Sequence, residues 1–246
     1  MEIIIFEDFS CYYKNKTGYT KALDHLDFSI ESGELFVIAG KSGCGKTTLL
    51  KCILGQCEYT EGNLFIDGVS MEDFDVKSGN IGYVRQETDL YPHLTVYENF
   101  AFPLRMMHTA QSEVDRRVKK IADKLDIRYL LTRKPRQLSG GQHQRVAIAR
   151  ALVNCPSILL FDEPFSNFDP TLRGQLRQLV KQLHQDYQVT MLFVTHDLEE
   201  AFSLADRILV LDDGKLVGKG THDELFENCE TYREICLSQL KETEAK

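Results

Sequence analysis

Three glycines, two lysines and a threonine fall within Gly40-Lys41-Ser42-Gly43-Cys44-Gly45-Lys46-Thr47, with Thr48 directly after. This spacing suits a loop that wraps a phosphate. The glycines let the backbone turn successive N–H groups toward the anion, and the helix that follows adds the partial positive charge of its N-terminus. In such a loop Lys46 reaches the outer phosphates of a nucleotide and the Thr47 hydroxyl ligates Mg²⁺. A second run, Ser157-Ile158-Leu159-Leu160-Phe161-Asp162-Glu163-Pro164, is apolar until it ends in two adjacent carboxylates. Asp162 suits a Mg²⁺ partner, and Glu163, one residue on, suits a general base for an attacking water.

The third run is Leu138-Ser139-Gly140-Gly141-Gln142, ahead of a helical stretch from Arg145 to Val153. Ser139 and Gln142 have capping-box spacing, and two glycines at a helix start expose N–H groups to an anion. The chain then carries two anion-binding helix ends, Gly45–Thr47 and Ser139–Gly141. In a compact monomer one nucleotide uses both only if the chain folds them together. A head-to-tail dimer instead sets one subunit's second site over the other's phosphate loop.

The elements that must position these residues are short apolar runs alternating with helical patterns, an α/β arrangement with parallel strands. Residues 35–39, 158–161 and 191–195 are continuously apolar and read as fully buried strands. The first 35 residues and the segment 62–82 carry short, half-polar strands with turn residues, which reads as antiparallel. A late hairpin is expected over 207–217 around Asp212-Asp213-Gly214. Between residues 87 and 138 the pattern turns helical. Thr95 and Glu98 have capping-box spacing, and Val114, Val118, Ile121, Ala122 and Leu125 mark one apolar helix face. The expected division is one domain over 1–246: a catalytic core with an antiparallel β part over 1–86 and 156–246, and an inserted helical subdomain over 87–155.

Composition limits the classes of function. The 246 residues are 43% hydrophobic and 27% charged, with a net charge of −8, and the mean hydropathy is −0.27. That balance fits a globular protein and disfavours nucleic acid as a partner. No run approaches the roughly 18 apolar residues of a membrane helix, and the start, MEIIIFEDFS, lacks the features of a signal peptide. The seven cysteines are odd in number and contain no Cys-x-x-Cys pair, so reduced thiols in a cytoplasm are expected.

Taken in order, Gly40–Thr47, Gln86, Leu138–Gln142, Leu159–Glu163, Ser166–Asp169 and His196 resemble the Walker A, Q-loop, LSGGQ signature, Walker B, D-loop and switch-histidine motifs of the ATP-binding cassette (ABC) ATPases. The resemblance runs from about residue 2 to residue 225. It implies a P-loop fold of the ABC type and an enzyme that binds ATP and Mg²⁺ and hydrolyses ATP. Glu163, His196 and Gln86 would be catalytic. Gly40, Ser42, Gly43, Cys44, Gly45, Lys46, Thr47 and Thr48 would bind the nucleotide, with Tyr13 the leading candidate to stack on adenine and Tyr12 and Tyr19 its rivals. Thr47, Gln86 and Asp162 would hold the metal. Ser139, Gly140, Gly141 and Gln142 would meet the partner subunit's ATP, and Asp169 would lie at the dimer interface. Lys41, Phe168 and His143 depart from the commonest pattern without removing a catalytic group.

The resemblance further implies a second ATPase subunit, identical or not, and integral membrane permease subunits at the cytoplasmic face of the cell membrane. The permease would dock in the groove between Gln86 and the helical subdomain, around Tyr91, Leu94 and Tyr97, side chains that would equally suit the core of that subdomain. The run 90–99 looks similar to importer subunits for small solutes, which favours import and adds a solute-binding protein to the partners. Only about 20 residues follow the 221–226 segment, too few for the regulatory domain of some sugar importers. The rivals are an exporter or lipoprotein-release ATPase, a soluble relative such as an iron–sulfur assembly ATPase, and a P-loop kinase. The last leaves Leu138–Gln142 and His196 unexplained.

Overall fold

A computed structural model of the chain describes residues 1–15, 18–87 and 89–244. Two compact units form, one from residues 1–75 with 190–246 and the other from 76–189.

In chain order, the first unit opens with two long strands, β1 (Glu2–Asn15) and β2 (Gly18–Glu31), followed by β3 (Leu35–Ala39) and helix α1 (Lys46–Ile53). Strands β4 (Glu61–Ile66) and β5 (Val69–Ser70) complete its first half. The second unit holds β6 (Ile81–Val84), α2 (Val96–Met106), α3 (Gln111–Lys124), α4 (Gly140–Leu152), β7 (Ile158–Asp162) and α5 (Pro170–Tyr187). The chain then returns to the first unit with β8 (Thr190–Thr195), α6 (Leu198–Leu204), β9 (Arg207–Asp212), β10 (Lys215–Gly220), α7 (His222–Asn228) and α8 (Glu230–Glu244).

In the first unit β2, β1, β4 and β5 form an antiparallel sheet. A second layer sets β3 between β8 and β9, parallel to both, with β10 antiparallel on β9. Every residue of β3 and β8 is buried, as continuous apolar runs require when both faces of a strand are covered. Phe28 of β2 stacks on Phe6 of β1 at 4.6 Å and on Phe36 of β3 at 5.9 Å, so one aromatic column joins the two layers. Arg207 lies over the Phe36 ring at 5.5 Å and grips the Glu34 carboxylate, which closes the polar end of that column. Asp213 and Gly214 both have positive φ, at 45° and 76°, the geometry of a tight hairpin turn between β9 and β10.

The second unit pairs β6 with β7 in parallel, Ile81 opposite Ile158. Thr95 caps α2 through a complete capping box with Glu98, and α3 buries Val114, Val118, Ile121 and Ala122. Among the described residues, no helix is long and apolar enough to cross a membrane.

Two expectations are corrected. The strands before residue 35 are not short: β1 and β2 run 14 residues each. Their pairing slips register at four places, between Glu2 and Ile4, Phe6 and Phe9, Phe9 and Cys11, and Cys11 and Tyr12. Each slip moves the inward position and breaks the alternation that marks a long strand in sequence. Residues 81–82 are not antiparallel either, because they belong to β6 and pair parallel with β7. Helix α4 starts at Gly140, directly after its cap Ser139 as the capping-box spacing predicts, so both signature glycines lie in its first turn.

Candidate functional site

In the first unit the glycine-rich loop joins β3 to α1, the strand–loop–helix context that the motif demands. Gly45 is the residue before the helix, with φ 108°, and a Cβ there would sit 2.4 Å from the Ala22 carbonyl oxygen. At Gly40 a Cβ would meet the Leu211 carbonyl oxygen at 2.3 Å. Gly45 makes no side-chain cap on α1 and no acidic residue lies in its first turn, so this helix end suits an anion with no competing carboxylate. The Lys46 ammonium is buried and donates to the carbonyls of Gly40 and Lys41 at 2.8 and 2.9 Å. It is thereby held inside the curl of the loop. Ser42, Gly43 and Thr47 are exposed, Thr48 is half-buried and Cys44 is buried.

The three tyrosines of β1 and β2 separate by their partners. Tyr12 donates to Asp24 at 3.2 Å and lies under the Lys21 ammonium at 5.3 Å. Tyr19 is 69% exposed, while Tyr13 is 41% exposed and accepts from the Cys57 thiol at 3.1 Å. Burial, reinforced by Cys57, pushes the Tyr13 hydroxyl up to about 12, and the Thr48 hydroxyl partly offsets this. Tyr13 is therefore tied to α1, the helix that carries the phosphate loop.

His196 follows β8 and is exposed. The turn beneath it is fixed by Asp197, which accepts from the N–H groups of Glu199 and Glu200 at 2.9 and 3.3 Å. The Thr195 hydroxyl donates to Glu200 at 2.7 Å and accepts from the Asp197 N–H at 3.0 Å. These bonds hold the strand end that presents the imidazole.

In the second unit the acidic pair closes β7. Asp162 is 9% exposed and accepts from the Tyr83 hydroxyl at 3.0 Å. Burial, and then the Asp162 charge, raise the Tyr83 pKa above its ordinary value, so the hydroxyl stays a donor. Glu163 has φ 44°, a left-handed backbone that a residue with a Cβ adopts at a cost. Its carbonyl accepts from the Ser166 hydroxyl at 3.1 Å, and that hydroxyl accepts from Gln86 Nε2 at 3.2 Å. Gln86, Glu163 and Ser166 are thus one hydrogen-bonded chain.

The signature run is also in this unit. Ser139 accepts from the Gln142 N–H at 3.4 Å and donates its own N–H to Gln142 Oε1 at 3.0 Å, a reciprocal cap on α4. A Cβ on Gly140 would lie 3.1 Å from the Phe168 ring, and one on Gly141 would lie 2.9 Å from Leu172. Asp169 caps α5, accepting from the Leu172 N–H at 3.1 Å. A cavity of about 240 Å³ opens beside this helix end, lined by Tyr129, Ser139, Gly141, Gln142, Arg145 and Leu172 among others. His143 is half-buried, and burial, with the nearby Arg150 charge, lowers its pKa.

The structure thus gathers the phosphate loop, Tyr13 and His196 into the first unit, and Gln86, the acidic pair, the signature and Asp169 into the second. Sequence reasoning missed Tyr83. Its partner lies 79 residues away across a strand pairing, and no local pattern signals that contact.

A phosphate-wrapping loop between strand and helix, together with a carboxylate-tipped parallel strand, defines a P-loop nucleotide-binding α/β protein. The model of the ABC transporter family matches residues 23–166. The chain belongs to this family, as one of its ATP-binding cassettes.

It is 45% identical over 211 residues to the sn-glycerol-3-phosphate import ATP-binding protein UgpC of Psychromonas ingrahamii, a match covering 86% of this chain and 56% of the relative. It is 44% identical to the maltose/maltodextrin import ATP-binding protein MalK of Photorhabdus laumondii, covering 85% and 57%. The chain therefore spans less than three-fifths of these relatives. Among solved structures, the dimeric post-hydrolysis ATP-binding cassette MJ0796 bound to ADP and Pi superimposes with a TM-score of 0.79 at 33% identity. That match covers 89% of this chain and 98% of the cassette.

Proposed function

We propose that the chain is the ATP-hydrolysing subunit of a transporter that imports a small solute, acting at the cytoplasmic face of the membrane. The observation that carries this reading is its 45% identity, over 86% of its length, to a protein named as an import ATP-binding subunit. The motifs support the chemistry. Lys46 and the first-turn N–H groups of α1 take the phosphates, Tyr13 stacks on adenine, and His196 orients the terminal phosphate. Glu163 accepts a proton from the attacking water.

The donors present suit Mg²⁺, which prefers hard oxygen ligands. Thr47 offers a hydroxyl, and Asp162 offers a carboxylate steadied by Tyr83. Gln86 donates its Nε2 to Ser166, so its amide oxygen is the atom it would offer the ion. An ion held by these residues would supply positive charge to the phosphate oxygens.

Two copies of the chain, or this chain and a second cassette, close head to tail. The α4 end with Ser139, Gly140, Gly141 and Gln142 then meets the ATP held by the other subunit, and Asp169 lies at the interface. The helical subdomain, 87–155, passes this closure on to permease subunits. Its docking surface centres on Tyr91, whose ring meets that of Phe102 at a tilt, 4.9 Å between centroids, with Met106 and Met107 also exposed. Tyr97 serves as an anchor, because its hydroxyl accepts from Gln111 and bonds Asp115.

Affinity purification of the tagged chain from detergent-solubilised membranes, followed by mass spectrometry and an ATPase assay, tests this. A polytopic membrane protein in stoichiometric amount, with Mg²⁺-dependent phosphate release, supports the reading. A soluble partner with no membrane protein overturns the transport role and leaves the ATPase chemistry standing.

A further inference from the structure

Three thiols from separate segments converge in the first unit: Cys11 of β1, Cys52 in the last turn of α1, and Cys57 in the segment that follows. Their sulfurs all lie within 4.8 Å of one another, and Cys11 and Cys57 are 3.4 Å apart. Cys11 and Cys52 are buried and Cys57 is half-buried. Two oxygens border it. The Glu58 carbonyl lies 3.5 Å from the Cys11 sulfur and 3.8 Å from that of Cys57, and the Tyr13 hydroxyl lies 3.1 Å from Cys57. The carbonyl thus faces Cys11 and Cys57, and the hydroxyl faces Cys57, so the cluster has polar atoms at one side. All seven cysteines are free thiols.

We infer that Cys11, Cys52 and Cys57 form a binding site for a thiophilic d¹⁰ cation, with Zn²⁺ as its divalent representative. Zinc–sulfur bonds of about 2.3 Å hold tetrahedrally placed sulfurs about 3.8 Å apart, so the cluster needs only small side-chain adjustments to close on one ion. Soft thiolate sets select zinc or Cu(I) over the harder Mg²⁺ that serves the nucleotide. An oxygen from Glu58 or water completes four-coordination. Three thiol protons leave to solvent as the ion binds, and a Zn²⁺–trithiolate unit carries a net charge of −1.

The site joins the strand of Tyr13 to the helix behind the phosphate loop. A metal-bound Cys57 has no proton to donate to Tyr13, so the Tyr13 hydroxyl must reverse and become the donor. Occupancy should therefore alter nucleotide affinity. This consequence rests on the reading of Tyr13 as the adenine contact, whereas metal binding itself does not.

The test uses the full chain, reduced and kept under inert gas, titrated with Zn²⁺ against a chromophoric chelator and separately with Cd²⁺. One ion per chain and a thiolate-to-Cd²⁺ charge-transfer band are expected. Cys57→Ser should weaken Zn²⁺ by more than the roughly 10–100-fold typical of losing an outer-shell partner, and Cys155→Ser, at an exposed cysteine, should leave it unchanged. Should Cys57→Ser fail to fold, the Cd²⁺ band of the unaltered chain decides. Absence of that band, an ion retained by folded Cys57→Ser, or a Cys11–Cys57 disulfide that consumes two thiols in the reduced preparation would each overturn the site. After excess metal is removed, the affinity for a fluorescent ATP analogue should differ several-fold between loaded and metal-free chain. Equal affinities alongside a confirmed Cd²⁺ band would overturn only the link to the nucleotide.

Discussion

The Tyr83 hydroxyl donates to Oδ2 of Asp162 at 3.0 Å, reaching it from a neighbouring strand on which Tyr83 stands opposite Leu160. The bond fixes the rotamer of a carboxylate that is only 9% exposed and has water on few sides. Tyr83→Phe keeps the ring and removes the donor. Losing a hydrogen bond to a charged group costs about 1.5–3 kcal/mol. If Asp162 serves the metal, half-maximal ATP hydrolysis should need about 10-fold more Mg²⁺ in Tyr83→Phe, with turnover at saturating Mg²⁺ much less affected. An unchanged Mg²⁺ titration would remove Asp162 from that role.

That contact also shows where sequence reading stops. The phosphate loop, the acidic strand end and the caps at Thr95, Ser139 and Asp197 are local patterns, carried by residues within about eight positions of each other, and the structure places each on the element expected. Tyr83 and Asp162 are 79 residues apart. Cys11 and Cys57 are 46 apart, joined through a strand and the segment after a helix. Such pairs depend on strand order and register, and composition or periodicity reports neither. The long strands β1 and β2 were hidden for a related reason. Asp8 and His25 take positive φ, and the register slips around them destroy the two-residue period.

Ser139 has two candidate jobs that one pair of substitutions separates. It caps α4 in a reciprocal box with Gln142, and the family resemblance gives it the partner's ATP. Ser139→Ala should cost about 1 kcal/mol of stability through the lost cap. Ser139→Asp keeps a good cap and recovers that stability, yet sets a carboxylate where a phosphate must come. Thermal melts should therefore show recovery in Ser139→Asp while ATP-driven dimerisation, read by light scattering, stays lost in both. Dimerisation restored by Ser139→Asp would leave the residue a helix cap and no more.

The His25 ring and Asp8 meet at 2.6 Å beside the bulges of β1 and β2. Asp8, by hydrogen bond and charge, raises the His25 pKa above its ordinary 6.5. A raised folded-state value means the pair stabilises fully below the unfolded pKa and loses that contribution as pH rises through the folded one. NMR titration should find the His25 midpoint above 6.5, falling back toward it in Asp8→Asn. Both side chains are largely exposed, so the melting temperature should change little. A midpoint unmoved by Asp8→Asn would assign the shift to another neighbour.

Glu163 combines strain with the proposed chemistry, and the two predict effects of opposite sign. Its φ of 44° is one that glycine adopts freely and a residue with a Cβ does not. Glu163→Gln keeps both the size and the backbone cost, so stability should stay within about 0.5 kcal/mol. Turnover should fall about 100-fold or more, because an amide cannot accept the water's proton. With hydrolysis blocked and the phosphate contacts intact, ATP and Mg²⁺ should hold a dimer on gel filtration. Glu163→Gly should also lose turnover but gain up to about 1 kcal/mol, a rise of a few degrees in melting temperature. A protein that is more stable and inactive is the outcome expected where backbone strain is kept for a catalytic position. Full activity in Glu163→Gln would move the base elsewhere, and a less stable Glu163→Gly would show that side-chain contacts at this turn outweigh its strain.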